Sequence, residues 1–86
     1  MSKPDQLVPR IRQVLLRLRP SIGDQVGLSD DLFALGLDSQ AVVEFVLRLE
    51  DETGVEFELE DISLDSFRTI GSIEHLLKRK VVETST

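Results

Sequence analysis

The sequence predicts an all-α fold, a small helical bundle. Two stretches repeat their apolar residues with helical period, and an uninterrupted run between them is bracketed by matching helix-end residues. Only one short stretch, V-E-F-E-L, alternates like a strand, and nothing else in the chain can pair with it.

The first helix lies between Asp5 and Leu18, where Leu7, Ile11, Val14, Leu15 and Leu18 fall on one face. Pro9 is tolerated near its start, because the early amides of a helix lack intrahelical partners. Arg19 precedes Pro20 and is driven out of helical geometry, so the helix stops there. Residues 20–38 carry Pro20, Gly23, Gly27 and Gly36 among scattered Leu28, Leu32, Phe33, Leu35 and Leu37. This reads as a long loop pinned to the core by apolar side chains, and loops of that length usually serve a function.

A second helix runs from Ser39 to about Thr53, with Asp38 as N-cap and Gly54 as its stop. Val42, Phe45, Val46, Leu49 and Thr53 form its core face. Residues 54–67 read as an extended segment leading into a short third helical turn within 60–67. Thr69 caps a last helix whose core side is Ile70, Ile73, Leu76 and Leu77. Lys78, Arg79 and Lys80 suit its C-terminal dipole, which leaves 81–86 as a frayed tail beyond a core of about 5–80.

At 86 residues the chain is a single domain, with a core too thin to enclose a deep active site as well. A net charge of -6 disfavours nucleic acid and anionic membrane as partners and points to basic proteins. The absence of cysteine removes disulfides and thiolate metal sites, and a lone histidine makes no metal cluster. The N-terminus lacks an apolar signal region, and no window approaches the ~18 apolar residues of a membrane span. A cytoplasmic monomer is the expectation, and the short termini read as a free-standing chain, with a domain cut from a larger synthase as the alternative.

The feature that composition leaves unexplained is Ser39, which follows Gly36 and Asp38 at the head of the second helix. Its own stripe continues through Val43, Leu47 and Glu50, and the next stripe outward carries Gln40, Glu44 and Asp51. An apolar strip rimmed by carboxylates is built like a transient docking surface. Capping alone would account for Asp38, and a solvated face for the acids, but neither accounts for Gly36 or for apolar residues outside the core.

The run D-L-F-x-L-G-L-D-S, the apolar-acidic helix with Glu44, then GVEF and FRTIGSIEHLL, resembles the acyl carrier and peptidyl carrier protein family over roughly residues 7–78. The resemblance implies a four-helix bundle of the acyl-carrier type. It also implies a serine that receives 4'-phosphopantetheine from coenzyme A through a phosphopantetheinyl transferase. Position by position, Ser39 matches the attachment serine, Asp38 the aspartate before it and Gly36 the glycine two positions earlier. Gln40, Val43, Glu44, Leu47, Glu50 and Asp51 match the partner-docking positions, with Gln40 standing where such carriers usually have leucine or methionine.

The role so implied is a discrete carrier of acyl or aminoacyl groups as thioesters, with the chemistry performed by partners. Those partners are an adenylating or acyltransferase loading enzyme and downstream synthase or tailoring enzymes. The ISLDSFRTIGSI segment, Gln40 and the arginines at 10, 12, 17 and 19 favour polyketide or nonribosomal-type secondary metabolism, with fatty-acid synthesis as the alternative. Three rivals stand beside this reading. A hydrolase would draft Ser39, His75 and Asp38 or Asp65, but no oxyanion loop is visible. An acidic interaction module would use Ser39 only as a cap. A calcium loop lacks the alternating ligand ladder. The tripeptide Leu-Asp-Ser also recurs at 64–66, without the glycine and without a long acidic helix after it, so Ser39 is preferred to Ser66 and Phe67 reads as a core plug.

Overall fold

The computed structural model describes residues 7–24 and 26–84. Helix α1 spans Leu7–Leu18 and buries Leu7, Ile11, Val14, Leu15 and Leu18, the face marked by its apolar spacing. Asp5, where its start was expected, lies outside the described residues. Pro9 is the third helical residue, where no intrahelical amide bond is lost. Arg19, at φ -142° and ψ 84°, ends the helix as its place before Pro20 dictates.

The connection after α1 is more ordered than expected. Pro20 opens a four-residue helical turn, α2, Pro20–Gly23, because its fixed φ suits a first helical position. This turn buries Ile22 and brings Gly23 against α1, where a β-carbon would lie 2.6 Å from the Leu16 Cα. Only glycine permits that approach. Val26, Leu32 and Leu37 then enter the core, whereas Leu28 and Leu35 remain about half exposed. The Arg12 guanidinium donates to the Val26 carbonyl and holds the loop to α1. Two backbone bonds, Leu32 N–H to the Arg68 carbonyl (2.7 Å) and Gly71 N–H to the Leu28 carbonyl (3.1 Å), fasten its far side.

Helix α3, Ser39–Thr53, has the expected ends. Asp38 is in extended geometry and its carboxylate accepts the Ala41 N–H at 2.8 Å, while Gly54 takes the left-handed φ of 74° that closes a helix. Its buried face is Ala41, Val42, Phe45, Val46 and Leu49.

Residues 55–58 after the Gly54 stop lie outside any helix, with Glu58 in extended geometry, and no strand forms among the described residues. The short third helix is a 3-10 turn at Leu59–Asp61, starting one residue before the predicted window, followed by a turn at 64–67. A reciprocal capping box between Glu58 and Asp61 sets its position. Phe67 is fully buried and meets Phe45 and Phe57 edge-on, at centroid distances of 6.1 and 5.9 Å.

Helix α4, Ile70–Thr84, buries Ile70, Ile73, Leu76 and Leu77. The Thr69 hydroxyl accepts the Ser72 N–H at 3.0 Å, as an N-cap should. Two expectations are corrected here. Helical backbone continues through 81–84 instead of fraying after Lys80, and residues 85–86 lie outside the described residues. The basic run is therefore not at the helix end. Lys78 pairs with Glu74, and Lys80, 7% exposed, lies 2.8 Å from the equally buried Asp61 and 3.8 Å from Glu58. Arg79 adds a longer contact to Asp61 at 3.7 Å. This cluster ties the 3-10 turn to α4. Helix α1 packs against α2, α3 and α4 alike, and the core lies beneath it.

Candidate functional site

Gly36 explains how the head of α3 is presented. It closes a turn over residues 32–36 with φ 117°, a value open to glycine and strained for other residues. A β-carbon there would meet nothing closer than the Ile22 Cδ1 at 4.0 Å, so the requirement is conformational, not a lack of space. The turn lets the Leu37 N–H reach the Leu32 carbonyl at 2.9 Å and buries the Leu37 side chain, which aims Asp38 and Ser39 outward.

Ser39 is exposed as the first residue of α3. The first intrahelical bond is Val42 N–H to the Asp38 carbonyl at 3.0 Å, so the amides of Ser39 and Gln40 precede it and, with the helix dipole, favour an anion there. Gln40 is exposed beside it.

Further along α3, Val43 and Leu47 are 58% and 60% exposed, large apolar side chains left outside the core. Of the three acids assigned to this face, each is placed differently. Glu44 forms an i,i+4 pair with Arg48 at 3.2 Å, both side chains about half exposed. Glu50 is half-buried, and its Oε2 accepts the Phe57 N–H at 2.8 Å. Asp51 is exposed, with no ion pair among the described residues.

Two grooves flank this strip. The larger, about 640 Å³, lies at the C-terminal end of α3, where Leu47 and Val55 are ringed by Glu44, Glu50, Asp51 and Glu56, with Arg48 as the one cation in the lining. The smaller, about 250 Å³, lies between α3 and the extended segment, lined by Val43, Val46, Leu47, Glu50, Phe57 and Ile62. The contributions of Val55, Glu56, Phe57 and Ile62 were missed from sequence, although the Val55–Phe57 alternation does place those two on one side of an extended chain.

The rival serine sits in a different environment. The Ser66 hydroxyl accepts from the Ser63 hydroxyl at 3.0 Å, its N–H donates to Ser63 Oγ at 3.1 Å, and its carbonyl accepts from Ser72 Oγ at 2.8 Å. His75 is exposed on α4, beside a shallow cleft that includes Ser66 and Arg79, on an element distant in sequence from Ser39. No group of three or more metal-binding side chains occurs among the described residues. No helix among them is long and apolar enough to cross a membrane.

Comparison with known proteins adds the family. Residues 8–77 match the phosphopantetheine attachment site family. Among solved structures, the chain is similar to one in the crystal structure of an engineered Bradyrhizobium japonicum glycine:[carrier protein] ligase complexed with carrier protein from Agrobacterium tumefaciens and ATP. The match has a TM-score of 0.78 and 31% identity and covers 85% of this chain and 97% of that one. A search of curated proteins gives no match. With four α-helices and a 3-10 turn among the described residues, a carrier-complex structure at a TM-score of 0.78 and a family match over most of its length, the chain belongs to the phosphopantetheine attachment family, as a carrier bearing 4'-phosphopantetheine and not as an enzyme.

Proposed function

We propose that Ser39 is the attachment residue and that the chain carries acyl or aminoacyl groups between partner enzymes, the aminoacyl class being favoured. The observation that carries the assignment is the contrast in hydroxyls: Ser39 is exposed at the head of a 15-residue helix, whereas Ser66 is half-buried and bonded to Ser63. The aminoacyl preference is supported by the similar structure, in which an engineered glycine:[carrier protein] ligase is complexed with a carrier protein and ATP.

The residues at α3 fit the prosthetic group. A phosphodiester on Ser39 would lie against the free amides at the start of the helix, a placement worth about 0.3–1 kcal/mol at an exposed site, with the Asp38 charge partly opposing it. In the attachment step the Ser39 Oγ forms a bond to the phosphorus of coenzyme A while the pyrophosphate bond breaks. The adenosine bisphosphate half leaves, and the hydroxyl proton passes to a base on the transferase. When bound, 4'-phosphopantetheine supplies a flexible arm and a terminal thiol, a nucleophile that this cysteine-free chain lacks. Docking then raises the effective concentration of the cargo at the partner's active site.

Gln40, Val43 and Leu47, with Asp51 and Glu44 at the rim, form the surface that partners meet. Polyketide or nonribosomal-type metabolism is the setting that Gln40 and the arginines of α1 favour over fatty-acid synthesis. The test is intact mass after incubation with coenzyme A and a broad-specificity transferase, followed by loading with adenylating or acyltransferase partners. One pantetheinyl increment that disappears in Ser39→Ala is expected. Its retention in that variant would overturn the assignment.

A further inference from the structure

The smaller groove has one feature that an apolar channel does not need. Val43, Val46, Leu47, Phe57 and Ile62 line it, and the single charged group among them is Glu50. That carboxylate is not a loose surface acid. It is half-buried, and the Phe57 N–H fixes its Oε2 at 2.8 Å, leaving Oε1 with lone pairs to offer. Its neighbour on α3, Arg48, is engaged with Glu44, and Glu50 takes part in no ion pair among the described residues. A half-buried carboxylate with one hydrogen bond and no cation is a charge still lacking a complement.

We infer that this groove receives the end of a small aminoacyl cargo, with Glu50 as the counter-ion of its ammonium group. The inference rests on the reading that Ser39 bears the arm. Eleven residues of helix separate Ser39 from Glu50, a rise of about 16 Å. An extended arm of about fourteen bonds, comparable to five residues of extended chain, reaches roughly 17 Å. Glu50 is therefore near the limit of that reach. A volume of about 250 Å³ admits a glycyl- or alanyl-sized group with space to spare, so the choice of cargo rests on charge and not on size. A neutral acyl group would leave the carboxylate unmatched, and an acidic one would be repelled. Glu50 also borders the larger acidic groove, so a cation of a docked partner is the competing complement.

The experiment loads the isolated protein, with no partner present, using the transferase and hydrolysis-resistant amide analogues of glycyl- and acetyl-coenzyme A, which differ chiefly by the charged amine. Amide NMR spectra are recorded near pH 6.5, where an α-amine is protonated. With the glycyl group, the Phe57 resonance is expected to move more than that of any residue outside the groove, and the amine to titrate at higher pH than in Glu50→Gln. The acetyl group should leave Phe57 in place. Equal shifts for both groups, or none in a protein whose mass shows full loading, would overturn the inference and return Glu50 to a partner's cation. No mass gain at all would overturn the Ser39 reading and this inference with it. The wild-type comparison of glycyl with acetyl needs no variant to fold.

Discussion

The tripeptide Leu-Asp-Ser occurs at residues 37–39 and again at 64–66, and the two copies are turned inside out relative to each other. In the first, the leucine is buried and the serine is exposed; in the second, Leu64 is 63% exposed and Ser66 is half-buried and hydrogen-bonded. Asp38 caps a 15-residue helix, while Asp65, almost fully exposed, makes only a 3.8 Å contact with Arg68. The flanks decide. Gly36 turns the chain so that Leu37 enters the core ahead of a helix, whereas in the second copy Ser63 ties down the serine and the following Phe67 is drawn inward. Three letters carry no function without a backbone that presents them.

The largest effect that separates the copies is chemical. Ser39→Ala should lose the pantetheinyl mass increment completely, and Ser66→Ala should keep it; the reverse pattern would break the comparison. Next comes packing. Phe67→Ala should lower stability by about 3–5 kcal/mol in urea denaturation, because it removes the ring that Phe45 and Phe57 share. A small loss would mean that the second copy does not serve the core.

The third test probes the cluster that anchors the segment before the second copy. The Lys80 ammonium bonding to Asp61, with the Glu58 N–H and the nearby Arg79 charge, holds the Asp61 carboxyl below the ordinary carboxylate range, against the opposing effect of burial. A carboxylate depressed in this way stabilises the fold above its unfolded pKa of about 3.9, and that contribution is lost as pH falls through the lower folded value. Stability measured from pH 6 downward should therefore decline in this window, and Asp61→Asn should flatten the decline. Lys80→Met, which leaves Asp61 only the longer Arg79 contact and the Glu58 N–H, should cost roughly 3 kcal/mol at neutral pH. The smallest effect is at the caps. Asp38→Ala should cost about 1 kcal/mol, while Asp65→Ala should leave the urea midpoint unchanged.

What was legible in the sequence follows the range of the forces involved. Both ends of α3 were readable because a cap is a bond between near neighbours, Asp38 to Ala41, and a helix stop is a property of Gly54 itself. The core faces of α1, α3 and α4 were readable from period, except that on α3 Ala41 was missed and Thr53, expected in the core, is only half-buried. The loop was only partly readable. Its apolar residues gave no sign that Ile22 and Val26 would be buried while Leu28 and Leu35 were not, since that depends on Gly23 meeting Leu16 and on Arg12 reaching the Val26 carbonyl. Lys80 was misread as a helix-end charge because its partner, Asp61, lies 19 positions earlier across a turn. Among the site residues, Ser39, Val43, Leu47 and Asp51 are as exposed as helical period predicts. The inward commitment of Glu50 was invisible, because its partner is a backbone amide seven residues away in an extended segment.

The approach of Gly23 to the backbone of Leu16 has a practical corollary for protein engineers. The stretch after the first helix tempts splicing, being long and rich in turn formers. Yet a methyl group at residue 23 would act as a wedge at the root of the whole connection, prying it from its support and swinging the serine-bearing helix off its mount. Fusions and chimeras of this domain belong outside its ends, not at that seam.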